Sequence, residues 1–182
     1  TLEELRLSII QQAVTKGLKD SSVMRDSGVV WIGQTPAHWQ VLAIKRLSSV
    51  KRGASPRPID DDRYFDDCGV YGWVRIEDVT RSDGVIRETV QTLSDLGSSL
   101  SVKLEPGALF LSIAGTVGKP CIAGRRVCIH DGFVYFPDLE VNAKFLFRLF
   151  ESKLLFRGLG KMGTQLNLNP ESVILRARFH TG

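Results

Sequence analysis

The chain has 182 residues, of which 43% are hydrophobic and 24% are charged, and its formal net charge is +4. This composition is ordinary for a single globular domain with a substantial core. No stretch approaches about 18 consecutive apolar residues, so we expect no membrane span. The start, TLEELRLSII, lacks the regions of a signal peptide and an initiator Met, so we expect a chain that was processed or cut from a longer protein.

The cysteines predict a reducing setting. The odd count and scattered spacing of Cys68, Cys121 and Cys128 fit neither a disulfide framework nor a zinc site. Cys121 and Cys128 flank IAGRRV, which is typical of two strands joined by a turn, and we expect both as small apolar core residues. We therefore expect a cytoplasmic protein.

The positive charge is unevenly placed along the chain. Residues 141–182 carry seven Lys and Arg against Glu151 and Glu171, whereas residues 1–140 sum to −1. The seven cations are Lys144, Arg148, Lys153, Arg157, Lys161, Arg176 and Arg178. A basic C-terminal third suits a phosphate-binding surface, and it equally suits a solvated helix face.

Residues 1–18 have the pattern of a helix. One narrow apolar stripe recurs at steps of three and four residues and consists of Leu2, Leu5, Ile9 and Ala13. Thr1 and Glu4 suit a capping box, and Gly17 is a natural stop. So narrow a stripe suits one partner helix, which predicts the end of a longer coiled coil.

The next part of the chain alternates linker, strand and loop signals. Residues 19–36 are polar and predict a linker or hook, and WQVLAIKRLSSVKRG predicts a strand or short helix. GASPRPIDDDRYFDDCG is a long loop, because its prolines bar a helix and its aspartates favour turns. VYGWVRIEDV alternates as a strand does.

The second half predicts strands and then a helix. VKLEPGALFLSIAGTVGKPCIAGRRVCIHDGFVYFP divides into short strands at its Gly and Pro residues. Residues 141–157 are amphipathic, with an apolar stripe of Phe145, Leu146, Leu149, Phe150 and Leu154. GLGKMGTQLNLNPESV is a loop with a possible helix start at Asn169-Pro170. We expect an α+β fold: a small, twisted, mixed or antiparallel β-sheet domain with a few helices, preceded by the stub of a coiled-coil-type helix.

Several motifs match catalytic patterns by letter alone. GLGKMG follows a helix and not a strand, so it does not suit a dinucleotide, and AGTVGKP is a tight turn more readily than a phosphate loop. Asp138 and Glu140 in PDLEVNAK do not converge from separate strands, as metal-dependent hydrolysis requires. His130 and Asp131 are adjacent, and on a strand their side chains would face opposite ways. The sequence predicts no catalytic group, metal or cofactor.

Four loops are rich in cations and amides: KRGASPRP, GTVGKP, GRR and GKMGTQLNLN. Arg can grip guanine O6 and N7 with two hydrogen bonds, Gln and Asn can do the same to adenine, and Ser and Thr suit phosphate or base edges. Each residue alone is more typical of a solvated loop, but together the loops favour a nucleic-acid surface.

The segment IIQQAVTKGL…MRDSGVVWIGQTPAHWQVLAIKRL resembles the specificity subunits of type I restriction–modification systems. KRGASPRP, GWVRIEDV, EPGALFLSIAGTVGKPCI and GTQLNLNPESV resemble further family segments, in the same order. The family continues into a second long helix, whereas ILRARFHTG runs on without proline. The chain therefore resembles one half of a specificity subunit.

The resemblance implies that residues 1–19 are the end of a conserved spacer helix and residues 20–182 a target recognition domain. It implies that Trp31, Ile32, Gly33, Pro36, His38 and Trp39 form the domain's entrance and are packed as structure. The implied function is sequence-specific recognition of one half of a bipartite double-stranded DNA target. The implied partners are methyltransferase subunits and, through them, the restriction subunit, with no role for a membrane.

The candidate contact residues follow from these two lines of reasoning. Expected phosphate contacts are Lys51, Arg52, Lys119, Arg125, Arg126 and Lys161. Expected base contacts are Arg57, Arg75, Thr164, Gln165 and Asn167, with Ser55 and Thr116 suited to either. Leu2, Leu5, Ile9 and Ala13 would face the partner helix.

Two other functions stay open at this point. The chain could be a stand-alone DNA nuclease or methyltransferase, although it shows no convincing metal or S-adenosylmethionine site. It could also be a pure assembly module whose helix over residues 1–18 is the working part.

Overall fold

The computed structural model describes residues 1–18, 23–157 and 173–177, which fall into two units. The first unit holds residues 1–18, 23–49, 138–157 and 173–177, and the second is Val50–Pro137. None of the described helices is both long enough and apolar enough to cross a lipid bilayer.

The elements of the first unit come from both ends of the chain. Its helices are α1 (Leu2–Lys16), α4 (Ala143–Glu151) and α5 (Leu154–Arg157), with a 3-10 turn at Ile44–Arg46. Its strands are β1 (Met24–Asp26), β2 (Gln34–Pro36), β3 (Trp39–Ala43) and β13 (Val173–Ala177). Strand β1 pairs antiparallel with β2, and β3 pairs antiparallel with β13.

Helix α1 begins and ends as its sequence predicts. Thr1 and Glu4 form a capping box, and Gly17 ends the helix with φ 82°, a left-handed conformation that favours glycine. Ile10 and Gln11 are half-buried and Val14 is buried, and the Gln11 side chain donates to the Ser152 carbonyl over 3.1 Å. One side of α1 is therefore packed against α4.

Within the expected entrance over residues 31–39, Trp31, Ile32, Pro36 and Trp39 are buried or half-buried, as predicted, whereas Gly33 and His38 are exposed, so the expectation is wrong for these two. Trp39 is 8% exposed and meets Phe145 of α4 edge to face, with ring centroids 6.2 Å apart. Ile32 is also buried, and Trp31 packs against this pair. These aromatic residues are core and not a free surface.

The amphipathic helix expected over residues 141–157 is present in two pieces. Leu146, Leu149 and Phe150 are buried in α4, while Lys144 and Arg148 are exposed. Lys153 has φ 59°, a conformation that a helix cannot contain, so the chain restarts at Leu154 as α5.

The second unit contains two mixed sheets and two short helices. Its helices are α2 (Ile76–Arg81) and α3 (Asp95–Ser99), with a 3-10 turn at Asp62–Tyr64. Its strands are β4 (Lys51–Arg52), β5 (Tyr71–Val74), β6 (Val85–Ile86), β7 (Gln91–Leu93), β8 (Val102–Leu104), β9 (Leu109–Ser112), β10 (Pro120–Ala123), β11 (Val127–Ile129) and β12 (Phe133–Tyr135). The α+β class and the short strands after residue 101 are confirmed.

Each sheet has one parallel pair. The five-stranded sheet has the order β4-β12-β9-β10-β6, with β10 and β6 parallel. The four-stranded sheet has the order β7-β5-β11-β8, with β5 and β11 parallel. Each remaining neighbour pair in both sheets is antiparallel.

The core of this unit lies on both faces of the four-stranded sheet. Val127 and Ile129 of β11 join one cluster with Phe110 and Phe133 of the other sheet. Cys128 points to the opposite face and joins Trp73. Because both faces are covered, β11 is a continuous apolar run and does not alternate with polar residues.

The two expected core cysteines are buried, as predicted. Cys121 and Cys128 are both 0% exposed, and burial raises the pKa of the thiols to about 11 and about 12. The strand–turn–strand between them is also present, although β10 and β11 enter different sheets and do not form a hairpin.

One expectation about the secondary structure is wrong in part, and another concerns residues outside the described ranges. VYGWVRIEDV is a strand only to Val74, since α2 begins at Ile76, and the helix-start hydrogen bond from the Arg75 amide to Asp78 Oδ2 is 2.9 Å. The expected loop and helix start over residues 158–172 lie outside the described residues.

Candidate nucleic-acid interface

Strand order brings four connections of the second unit to one end. Strands β4, β5, β9 and β11 end there, because β5 runs parallel to β11 while β12 runs antiparallel to both β4 and β9. The segments that follow these strand ends are residues 53–57, 75–76, 113–118 and 130–132. We call these four segments the loop cluster.

Backbone hydrogen bonds fix the loop cluster. The Gly53 amide donates to Phe133 O over 2.9 Å, and the Ala54 amide donates to Ile129 O over 3.1 Å. The Ile113 amide donates to Gly132 O over 2.9 Å. A Cβ at Gly53 would lie 2.2 Å from the His130 carbonyl oxygen, so only glycine permits this crossing.

Ser55 and Arg57 converge on one carboxylate. Ser55 Oγ donates to Asp131 Oδ1 over 3.2 Å, and Arg57 Nη2 donates to Asp131 Oδ2 over 3.0 Å. The pKa of Asp131 is lowered: partial burial opposes ionisation, but the Ser55 hydrogen bond and the Arg57 charge outweigh it. The Arg57 side chain is still 70% exposed, so this carboxylate holds it at the surface.

His130 is enclosed by aromatic rings beside this carboxylate. Its ring centroid lies 5.8 Å from that of Trp73 and 4.6 Å from that of Phe133, and its Nδ1 accepts the Gly132 amide over 2.9 Å. Burial lowers the pKa of His130 despite the Asp131 charge. The neutral ring therefore carries its proton on Nε2.

The expectation that His130 and Asp131 face opposite ways is wrong. His130 Nδ1 lies 3.6 Å from Asp131 Oδ1. The reason is that β11 ends at Ile129, so both residues lie in the following turn, where the alternation of a strand no longer applies.

The GTVGKP segment is a turn between β9 and β10, as predicted. Lys119 Nζ donates to the carbonyls of Val79, Thr80 and Ser82 over 2.5, 3.2 and 3.1 Å. Val79 and Thr80 lie in the last turn of α2 and Ser82 follows it. The last carbonyls of a helix have no partner within the helix and carry its negative dipole end. The three donors of the Lys119 ammonium are thus occupied by the end of α2.

Thr116 and Arg75 lie at opposite ends of α2. Thr116 is exposed in the turn, with its hydroxyl oxygen 3.2 Å from that of Thr80. Arg75 precedes α2, is half-buried, and donates from Nε to Gln91 Oε1 over 2.7 Å. Both residues belong to the loop cluster.

Lys51 and Arg52 form the edge strand that leads into the loop cluster. Both are exposed on β4, which pairs on one side with β12. Among the described residues neither side chain is in an ion pair. Their charges are therefore available to a polyanion.

Arg125 and Arg126 lie at the other end of the unit. They connect β10 to the start of β11, where Arg125 donates to Val70 O over 3.3 Å and Arg126 pairs with Glu105 over 3.0 Å. The expected contact residues thus divide between two ends, and the loop cluster holds the larger set.

The second unit has no excess of positive charge. It contains eleven Lys and Arg against twelve Asp and Glu. Because the charges balance, a polyanion would be attracted to this unit by the local arrangement of cations and not by net charge.

Within the described residues no group of three or more His, Cys, Asp or Glu side chains could hold a metal ion.

The remaining expected contacts are placed as follows. Lys161, Thr164, Gln165 and Asn167 lie outside the described residues.

The expected partner-helix stripe lies mostly on the exposed side of α1. The side chains of Leu2, Leu5 and Ile9 are 87%, 58% and 58% exposed, and Ala13 is half-buried. This stripe faces away from the side of α1 that packs against α4.

Sequence reasoning missed the two residues that hold Arg57. The sequence pattern places Asp131 only beside His130, and it places Tyr64 within a long loop. Tyr64 is 6% exposed and donates from its hydroxyl to Arg57 O over 2.9 Å. The turn signal of His130-Asp131-Gly132 could have suggested the role of Asp131, because Asp and Gly are typical turn residues.

No family model matches the sequence, but solved structures with a similar fold are found. The HsdS subunit from Thermoanaerobacter tengcongensis superposes with a TM-score of 0.63 at 16% identity, over 94% of this chain and 38% of that one. A chain from a structure describing assembly and conformational transition of the type I restriction–modification system gives 0.59 at 16% identity, over 96% and 41%.

The S subunit of the type I system from M. genitalium gives a TM-score of 0.55 at 13% identity, over 89% of this chain and 37% of that one. The chain thus spans about two fifths of the length of the subunits it matches. It has the fold of part of an HsdS specificity subunit, which confirms the resemblance at the level of the fold.

Replacing Lys119 by Met should destabilise the protein. Lys119→Met keeps the aliphatic stem but removes the ammonium donor from three carbonyls, of which only that of Val79 keeps a second donor, Ser82 Oγ. We therefore expect the free energy of unfolding to fall by about 1–3 kcal/mol. Urea denaturation followed by tryptophan fluorescence measures this. The exposed Lys51→Met is the matched control and should stay within about 0.5 kcal/mol of the parent. Equal stability of the two variants would show that the ammonium does not support α2.

Proposed function

We propose that this chain is a target recognition domain of a type I restriction–modification specificity subunit and reads one half of a bipartite double-stranded DNA target. The observation that carries the proposal is the fold shared with HsdS subunits over 94% of the chain. Residues 1–19 are then the end of a spacer helix and residues 20–182 the recognition domain. This role places the chain in the cytoplasm, with the DNA.

The proposal gives the chain no catalytic step and no cofactor. Methyl transfer and cleavage belong to the methyltransferase subunits and, through them, to the restriction subunit. This chain would contribute only the choice of DNA sequence. Methylation or cleavage of DNA by the purified chain alone would contradict this part of the proposal.

In the second unit, the loop cluster is the proposed DNA-facing surface. It collects Ser55, Arg57, Arg75 and Thr116 on hydrogen-bonded turns, and side chains on fixed turns lose little entropy on binding. Lys119 is left to its structural role at the end of α2. Lys161, Thr164, Gln165 and Asn167 remain proposed contacts on the ground of sequence alone.

Lys51 and Arg52 are the proposed phosphate contacts. They are exposed, free of ion pairs within the described residues, and continuous with the loop cluster through residue 53. Phosphate contacts position a protein on the duplex, and base contacts choose the sequence. The edge strand and the loops after it would divide these two tasks.

The exposed stripe of α1 is the proposed contact with a partner helix. Leu2, Leu5 and Ile9 form a seam that the described residues leave uncovered. A seam of this width fits one helix, which we assign to the partner subunits.

Selection of duplexes from a randomised pool at low salt tests DNA recognition directly. We expect enrichment of one motif of about 3–5 base pairs by the chain, measured with and without the methyltransferase subunit because half of a bipartite interface binds weakly. Binding without enrichment would reduce the function to a basic surface. No binding in either case would favour a pure assembly role.

Neutralising the edge strand should weaken binding to all sequences alike. For Lys51→Ala with Arg52→Ala we expect the slope of log Kobs against log salt to fall by about two, one for each lost phosphate contact. Arg126→Ala, at the other end of the unit, should leave the slope unchanged. A loss of slope with Arg126→Ala and not with the double variant would place the DNA at that other end.

A charge on the exposed stripe of α1 should block assembly. Ile9→Glu is expected to abolish co-purification with the methyltransferase subunit, since a buried carboxylate without a partner is costly. Ser8→Glu adds the same charge beside the stripe and should assemble normally. Equal retention of both variants would remove the stripe from the interface.

A further inference from the structure

We propose that Arg57 reads a guanine of the DNA target and that Asp131 is the positioning residue that aims its guanidinium at the base. The inference rests on the DNA-recognition role proposed above and makes it specific. It assigns one base type to one side chain. It also adds an acidic residue to the interface, although a carboxylate repels the phosphates of DNA.

Arg57 is fixed at its backbone. The Tyr64 hydroxyl donates to the Arg57 carbonyl over 2.9 Å, and the Tyr64 side chain is itself buried. Pro56 before it is buried as well, and the amides of Gly53 and Ala54 are bonded to the neighbouring strand ends. The start of the side chain is therefore held in place before any DNA binds.

Arg57 is also held at its tip. Its Nη2 donates to Asp131 Oδ2 over 3.0 Å, while Ser55 Oγ holds the second oxygen of the same carboxylate at 3.2 Å. The Ser55 bond stops the carboxylate from turning away, so Ser55, Asp131 and Arg57 form a chain of fixed contacts. An arginine fixed at both ends gives up little rotamer entropy on binding.

The carboxylate argues against a phosphate contact for Arg57. A guanidinium 3.0 Å from a carboxylate has most of its charge compensated, and a phosphate close enough to bind it would be repelled by Asp131. Lys51 and Arg52, in contrast, pair with no carboxylate among the described residues. The two kinds of cation are thus suited to two kinds of contact.

The geometry of arginine suits guanine. A guanidinium has five N–H donors in a plane, so a bond through Nη2 to Asp131 leaves others on the exposed side of the group. Two parallel N–H groups match O6 and N7 of guanine in the major groove. Among the described residues Asp131 is the one hydrogen-bond acceptor of the Arg57 side chain, which leaves the fork for a base.

The second unit offers a matched control pair. Arg87 Nη1 and Asp83 Oδ1 are also 3.0 Å apart, and both side chains are more than half exposed. Arg87 follows β6, which runs parallel to β10, so it lies at the end of the unit away from the loop cluster. Neither residue belongs to the loop cluster, so Arg87→Ala and Asp83→Asn make the same charge changes outside it.

The test begins with the motif selected by the parent chain. Kd is then measured over a salt series on the selected duplex, on duplexes changed at one base pair each, and on an unrelated duplex. The variants are Arg57→Ala, Arg57→Lys, Asp131→Asn, Arg87→Ala and Asp83→Asn. Urea denaturation establishes that each variant is folded.

For Arg57→Ala we expect the preference for G·C at one position to fall by about 5- to 150-fold, with little change on the unrelated duplex. Arg57→Lys should lose the same preference and keep its salt dependence, because lysine retains the charge without the planar fork. The control variants should bind as the parent does.

Asp131→Asn gives the most specific readout. It keeps the shape of the side chain but releases the charge of Arg57, so the G·C preference should fall severalfold while affinity for the unrelated duplex rises and the salt slope steepens by up to about one unit. A merely structural role of Asp131 would weaken binding to both duplexes together.

The outcomes separate the two proposals. If the parent selects a motif and Arg57→Ala weakens binding equally on all duplexes, or changes nothing, the guanine contact is wrong and the DNA-recognition role stands. If Asp131→Asn lowers both affinities in proportion, its positioning role is wrong. If the parent selects no motif, the recognition role itself fails and this inference fails with it.

Discussion

The pairing of β12 with two neighbours is the constraint on which the candidate interface depends. Strand β12 lies antiparallel to β4 on one side and to β9 on the other, so the ends of both strands meet where β12 begins. The turn before β12 contains His130 and Asp131, and the chain after β4 crosses its backbone at Gly53. A side chain at Gly53 would separate these segments and remove Asp131 from Arg57.

Local patterns in the sequence predict the parts of the fold that depend on residues close together in the chain. The capping box of α1, the apolar stripe of α4, the turns of the second unit and the burial of Cys121 and Cys128 follow from short-range spacing. Helix α2 does not, because its six residues continue directly from the strand pattern of VYGWV and are too few to show a helical period of their own. Its end is occupied by Lys119, a contact across about forty residues that no local pattern contains.

The candidate site was predictable in composition but not in arrangement. Cations and amides mark the loops in the sequence, and Ser55, Arg57, Arg75 and Thr116 do lie together in the loop cluster. What a given cation can contact depends on its partner in space: Lys119 bonds to three carbonyls, Arg126 pairs with Glu105, and Arg57 uses one nitrogen to bond Asp131 from 74 residues away. Without the strand order, these residues cannot be told apart from Lys51.

The balance of charge in the second unit affects how the loop cluster would discriminate between DNA sequences. A domain with a large positive excess binds all DNA through its phosphates, and that shared affinity contributes nothing to the choice of sequence. Here eleven cations face twelve carboxylates, and several of the cations are already paired. In the proposed role, this unit would attract DNA only weakly through net charge, and a favourable contact with the right base would form a larger part of its binding free energy. A recognition domain that docks through partner subunits can rely on this arrangement, since the partners supply affinity and the loops need supply only the difference between sequences.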